Sequence, residues 1–162
     1  MMGRVFSKSG AIFSDCRKYR YALWRLWDLK KSNVMIIGLN PSTADEKSND
    51  PTIMRCISFA SSWGYGGVYV TNLFGFRATS PNELRAHQDP VGKENDLWVN
   101  EISKKVAIKV AAWGNHGKFL NRSKKFLSAL DQLHCIHINK SGEPAHPLYL
   151  KRELKPFQML TG

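Results

Sequence analysis

The apolar positions of the chain fall into short runs set between stretches of helical spacing. Val34-Met35-Ile36-Ile37 is a continuous apolar run closed by Gly38, the pattern of a strand buried on both faces. From Pro51 to Trp63 the residues Ile53, Ile57 and Ala60 return to one helical face, and Gly64, Gly66 and Gly67 stop the repeat. Val68-Tyr69-Val70-Thr71 predicts a second strand ending at Asn72, and residues 106–113 and 135–138 predict a third and a fourth. Helices are expected over 91–104 and about 118–130, after a loop-rich stretch punctuated by Pro81 and Pro90, and a last short helix follows the loop 139–147. Residues 11–29 read two ways: the alternation of Tyr19, Tyr21 and Leu23 predicts a strand or hairpin, whereas the spacing from Leu23 to Trp27 is helical. Strands alternating with helices give an α/β fold, a three-layer α/β/α sandwich around a short, mainly parallel four-stranded sheet. Its length fits one domain over 1–162, with residues 1–31 as a basic, aromatic extension packed on it.

In open parallel sheets ligands bind beyond the carboxyl ends of the strands, so the residues closing each run carry the chemical interest. The first run ends in Gly38-Leu39-Asn40-Pro41-Ser42, where Gly38 permits close backbone approach and Pro41 fixes the turn that projects Asn40. An amide there holds a water or a ligand edge but cannot accept a proton as a carboxylate does. The second run ends in Asn72, the third in Trp113-Gly114-Asn115-His116, and the fourth leads to His146-Pro147. Singly, Asn72 reads as a turn cap, His146 as a structural histidine and Trp113 as core. Jointly, two amides and a histidine at successive strand ends predict one cleft lined by residues 38–42, Asn72 and His146.

Charge adds a partner. Twenty-four Lys and Arg against thirteen Asp and Glu give a formal charge of +11. The excess is clustered: Arg4, Lys8, Arg17, Lys18, Arg20, Arg25, Lys30 and Lys31 lie in the first 31 residues, and seven basic residues without an acid lie between Lys104 and Lys125. Such clusters either form solvated helix faces or attract polyanions, and nucleic acid is the expected partner, with Lys118, Arg122, Lys124 and Lys125 on phosphates. Cys16, Cys56 and Cys135 are too few and too far apart for a disulfide framework, a zinc site or a four-thiolate cluster, so no metal or cofactor is expected. With no apolar run approaching a membrane span and no signal-peptide pattern, the expectation is a cytoplasmic protein, and a monomer.

Taken in order, these motifs resemble those of the uracil-DNA glycosylase superfamily. Gly38-Leu39-Asn40-Pro41 is similar to the first motif in its Asn-bearing form. Val68-Tyr69-Val70-Thr71-Asn72 resembles the strand whose terminal Asn reads the base edge, Ala112-Trp113-Gly114 the strand ending in a Trp-Gly pair, and His146-Pro147 the His-Pro motif before the minor-groove loop. Asn40-Pro41-Ser42-Thr43-Ala44-Asp45, Asp50-Pro51-Thr52 and the stretch from Asn72 to Thr79 are more narrowly similar to a family of small bacterial and phage proteins with no established activity.

The resemblance implies hydrolysis of an N-glycosidic bond after a damaged, mismatched or modified base is flipped out of DNA. Asn40 then positions water, Asn72 holds the base edge, and His146 stabilises the leaving base, with Gly38, Leu39, Pro41, Ser42 and Arg55 completing the base pocket. Asp45 or Asp50 serves as the base if either faces the cleft. Leu148 or Tyr149 is the wedge that fills the vacated stack, with Lys151 and Arg152 on flanking phosphates. The chain departs from the pattern after the first motif: the stacking aromatic is replaced by Asp50-Pro51-Thr52-Ile53-Met54-Arg55, and Phe59 and Trp63 lie on a helix where core packing is expected. Two alternatives stay open, a nucleic-acid-binding module without catalysis, and an enzyme of free or modified nucleotides using Asp45, Asp50 and Arg55.

Overall fold

A computed structural model describes residues 6–160. Each predicted apolar run contributes to a strand, β3 (Asn33–Gly38), β4 (Gly67–Asn72), β5 (Ile108–Ala111) and β6 (His134–Cys135), but the last is two residues long and takes only Cys135 of the expected 135–138. β3 pairs in parallel with β4 on one side and β5 on the other, and β5 pairs in parallel with β6. The whole sheet has seven strands and is mixed. The hairpin of β1 (Lys8–Phe13) and β2 (Arg20–Leu26) joins antiparallel to β4, and β7 (Phe157–Gln158) joins antiparallel to β6. The four-stranded sheet expected from the apolar runs is therefore the parallel centre of a larger one.

The N-terminal region is not an extension laid over the domain. Leu23 and Ala22 are fully buried, and β2 hydrogen-bonds β4 from Leu23 to Leu26. The alternation of Tyr19, Tyr21 and Leu23 was strand spacing, and it prevailed over the helical one because the edge of β4 needs a partner for its backbone. Arg4 lies outside the described residues.

Alternation along the central strands sorts two cores. Val34 and Ile36 face α1 (Pro51–Ser62) and its Ile53, Cys56, Ile57 and Phe59, while Met35 and Ile37 face the opposite layer with Val99, Ile102 and Phe126. That layer is built by α2 (Pro81–Ala86), α3 (Asn95–Ser103) and α4 (Arg122–Ala129). A one-residue slip in β3 would exchange the two faces, so register is fixed from both sides.

Local chemistry sets the helix ends. Asp50 caps α1 by accepting from the Ile53 amide (2.9 Å), Pro51 occupies its first turn, and Gly64 beyond its end has φ of +89°. Ser80 caps α2 while Glu83 reaches back to the Thr79 amide, so the stretch expected as loop contains a short helix. The helix expected over 118–130 is broken. Leu120 and Asn121 both take positive φ (54° and 56°), separating a 3₁₀ turn at Asn115–Asn121 from α4.

Arg122, expected on phosphates, is instead buried at 4% exposure. Its Nε and Nη2 both donate to the Leu73 carbonyl (3.0 and 2.7 Å), and its guanidinium pairs with Asp96 of α3. It ties the exit of β4 to α3 and α4. Replacing it with Met leaves the Leu73 carbonyl with only the longer bond from Asn95 Nδ2 (3.3 Å) and Asp96 with Lys125 alone, which we expect to cost roughly 1–3 kcal/mol. Most of that comes from the two bonds lost at the carbonyl, since Asp96 is partly solvated. Urea denaturation of Arg122→Met checks this, with Lys124→Ala, at an exposed position, leaving the midpoint unchanged.

Candidate functional site

The chain leaving β3 does not loop freely. The Gly38, Leu39 and Pro41 carbonyls accept from the Leu73, Phe74 and Ala78 amides (each 3.0 Å), so residues 38–41 run alongside the exit of β4. Asn40 closes this lacing: its Nδ2 donates to the Pro41 carbonyl (2.9 Å) and to the Ala78 carbonyl (2.8 Å). Both amide hydrogens are committed to backbone, leaving Oδ1 as its group for a ligand, an acceptor only. Arg77 donates to the Ser42 carbonyl (3.1 Å) and holds the next residue of the loop.

Gly38 sits beside Asn72 in the parallel register. A Cβ on Gly38 would fall 2.8 Å from Asn72 Oδ1, so the absence of a side chain is what lets the amide lie across the strand end. Asn72 is 3% exposed and its Nδ2 has no hydrogen-bond partner among the described residues. Its backbone carbonyl accepts from Nδ2 of the fully buried Asn95 (2.9 Å).

These residues line one cavity. Gly38, Leu39, Asn40, Pro41, Ser42, Asn72, His146 and Pro147 surround it together with Asp50, Thr52 and Ile53 from the start of α1, and Arg20 from β2. The predicted convergence of residues 38–42, Asn72 and His146 is thus what the fold brings about. The cavity is small, about 40 Å³, which is room for a few waters.

His146 Nδ1 accepts from the Leu148 amide (3.3 Å), so the neutral ring carries its proton on Nε2. Burial pushes its pKa below the usual histidine value, with the nearby Asp50 charge opposing the shift. At neutral pH the ring is uncharged and a donor through Nε2. Asp50 is 9% exposed, and its two oxygens accept from the Ile53 and Ala44 amides (2.9 and 3.2 Å). It shapes the wall and caps α1.

Other expected site residues lie elsewhere. Asp45 does not line the cavity. Its Oδ1 accepts from the Lys47 and Ser48 amides (2.9 and 2.7 Å), bonds that hold its pKa below the ordinary value, so it builds a turn. Arg55 is not in the lining either: Nε donates to the Pro147 carbonyl (3.3 Å) and the guanidinium lies over Phe59, clamping the 146–150 segment to α1. Phe59 and Trp63 stack on each other, with Phe59 in the core. Trp113 is core as well, its Nε1 donating to buried Glu143 (2.7 Å). Tyr149 is 90% exposed, Leu148 is half-buried, and Lys118, Lys124, Lys151 and Arg152 are exposed. Lys125 is exposed but pairs with Asp96 (3.1 Å).

Arg20 is the residue that the sequence reading missed as a cavity residue. It counted there as one charge in a surface cluster. In the fold it is 2% exposed, Nη1 donates to the Ala44 carbonyl (3.2 Å), and Nε has no partner. Burial lowers its pKa to about 10, so it stays cationic at neutral pH. The signal available was its place between Tyr19 and Tyr21 in a strand pattern, which promises burial but not direction.

The His146 shift has a measurable consequence. Its folded pKa lies below the ordinary 6.5, so below that pH the unfolded chain binds the extra proton first and stability falls as pH drops. The loss levels off once the pH is below the folded pKa. We expect His146→Gln to have a flatter acid limb than the parent, read as the difference between their urea midpoints across pH. Parallel curves would show that His146 is not buried as a neutral ring.

Among the described residues no helix is long and apolar enough to cross a membrane. No curated protein and no solved structure matches the chain. One family model does, over residues 20–148, a span that opens on Arg20 and closes just past His146 and Pro147, so that it encloses every residue of the cavity. On that match the chain belongs to the family described as Protein of unknown function (DUF1643).

Proposed function

We propose that this protein hydrolyses the N-glycosidic bond of a damaged, mismatched or modified base flipped out of DNA. The observation that carries the reading is the gathering of the Asn40 acceptor, the Asn72 amide and the neutral His146 donor in one cavity beyond the strand ends. Asn40 Oδ1 accepts a hydrogen of the attacking water and aims its lone pair, while Asn72 hydrogen-bonds the base edge. His146 Nε2–H donates to the oxygen on which charge builds as the base departs. An amide cannot take the water's proton, so bond breaking runs ahead of attack and the reaction is slow.

A base reaches the cavity past the 146–150 segment, which Arg55 pins to α1. Tyr149, fully offered to solvent on that segment, is the wedge. Exposed Lys118, Lys124, Lys151 and Arg152 contact phosphates, whereas Arg122 does not.

A base-release assay on oligonucleotides carrying uracil, mismatched thymine, hypoxanthine or hypermodified pyrimidines tests the reading. We expect release from at least one, reduced roughly 100-fold in His146→Ala, the scale of one lost transition-state donor. Tyr149→Ala weakens binding to distorted duplexes without moving Tm. Salt-sensitive binding with no release from any substrate identifies a binding module instead, and turnover of free nucleotides alone identifies a nucleotide enzyme. Either outcome ends the glycosylase reading.

A further inference from the structure

Among the described residues three arginines are buried, and they are not alike. Arg25 donates to the Trp24, Asp45 and Ser48 carbonyls and to Asn49 Oδ1, at 2.6–3.1 Å, so its guanidinium is occupied by the loop it holds. Arg122 is occupied by Leu73 and Asp96. Arg20, equally buried, has one side-chain hydrogen bond, Nη1 to Ala44. Among the described residues no carboxylate oxygen lies within 4 Å of it, and its Nε is without a partner.

A buried guanidinium with most of its five donors unused is destabilising unless something else pairs with it. Arg20 lines the cavity, and so do two further donors on separate elements. They belong to Asn72, whose Nδ2 is also buried and unpartnered, and to neutral His146, which carries its proton on Nε2, both residues of the lining. The one carboxylate in the lining, Asp50, acts on Arg20 through its charge but makes no ion pair with it, its oxygens being turned to the Ala44 and Ile53 amides. A neutral carbonyl oxygen satisfies at most two of the three donor groups and adds no charge to pair directly with the cation. An oxyanion offers enough lone pairs for all three and supplies the missing charge.

We propose that Arg20, Asn72 and His146 form a receptor for an oxyanion, a phosphate or carboxylate group carried by the ligand, and that Arg20 is the residue that selects for it. The inference rests on the reading of this cavity as the ligand site, not on cleavage of a glycosidic bond. It narrows the substrate class to a base bearing an acidic group or to a nucleotide engaged through its phosphate.

The test titrates the full ¹⁵N-labelled chain with sodium phosphate and, separately, sodium acetate, holding ionic strength constant with sodium chloride, and with uracil as the neutral comparator. The arginine Nε–H resonances report the contact, and the resonance missing from Arg20→Lys is that of Arg20. We expect one of the two oxyanions to shift it saturably, the one that does so telling phosphate from carboxylate. Uracil at the same concentrations leaves it in place. Affinity falls at least tenfold in Arg20→Lys and is abolished in the isosteric Asn72→Asp, which keeps the test available, through the remaining resonances of the cavity, should the arginine variant fail to fold. The proposal is overturned if neither oxyanion gives a saturable shift, if uracil shifts the resonance as strongly, or if the variants bind the anion as the parent does. A protein that releases bases yet ignores both anions refutes this inference alone. One that binds an anion and releases no base refutes only the glycosylase reading.

Discussion

The site depends on the backbone lacing between the exits of β3 and β4. Three carbonyls of the first exit accept from three amides of the second, and the Asn40 side chain supplies two more bonds in the same seam. Without it, residues 38–42 would be an ordinary surface loop and their polar groups would point at solvent. With it, an amide acceptor, an amide donor and a small-residue gap are held in fixed relation at the strand ends. The seam is in turn anchored from outside, since Asn95 takes the Asn72 carbonyl and Arg122 the Leu73 carbonyl. Rigidity here comes from backbone groups, which have no rotamers to lose, rather than from side-chain packing.

The same anchoring changes what the charge of the chain means. A formal +11 suggests a strongly basic surface, yet Arg20, Arg25 and Arg122 sit inside the fold. All three hold carbonyls of irregular chain that helices and strands leave unpaired. A guanidinium suits this task because its donors spread over a plane and reach several oxygens at once. The field that the protein presents to a polyanion is therefore set by its exposed basic side chains, those of α4 and the residues after Pro147 and also Lys8, Lys18, Lys30 and Lys31, not by the whole basic count.

Elements that bury a continuous apolar surface were legible in the sequence. The four central strands and α1 follow from runs and spacing because a strand covered on both faces has no room for polar residues. Features of backbone geometry were not. The break at Leu120 and Asn121 leaves the apolar spacing of the region almost untouched, so a periodic reading runs straight through it. α2 was hidden because Pro81 reads as punctuation, although Ser80 and Glu83 stand at the spacing of a capping box. β7 consists of two exposed residues and has no pattern to find. For the site, glycine and amides at strand ends gave Gly38, Asn40, Asn72 and His146 their place. What a charged side chain turns toward is decided by its neighbours in space, and so Arg20, Asp45, Arg55 and Arg122 were misplaced or missed.

The hairpin at the edge of the sheet carries one more consequence. Arg20 begins β2, while its cavity partners come from β3, from β4 and from beyond β6, so the pocket is assembled from segments more than a hundred residues apart. An edge hairpin is the kind of unit that opens below the free energy of global unfolding, as amide exchange resolves it. Each such opening would withdraw the cation from the pocket while leaving the amides and the histidine in place. The affinity of the site for an anion would then be scaled by the fraction of time that the hairpin is docked. Substitutions on the far side of β1, remote from any ligand, would tune binding through that population alone.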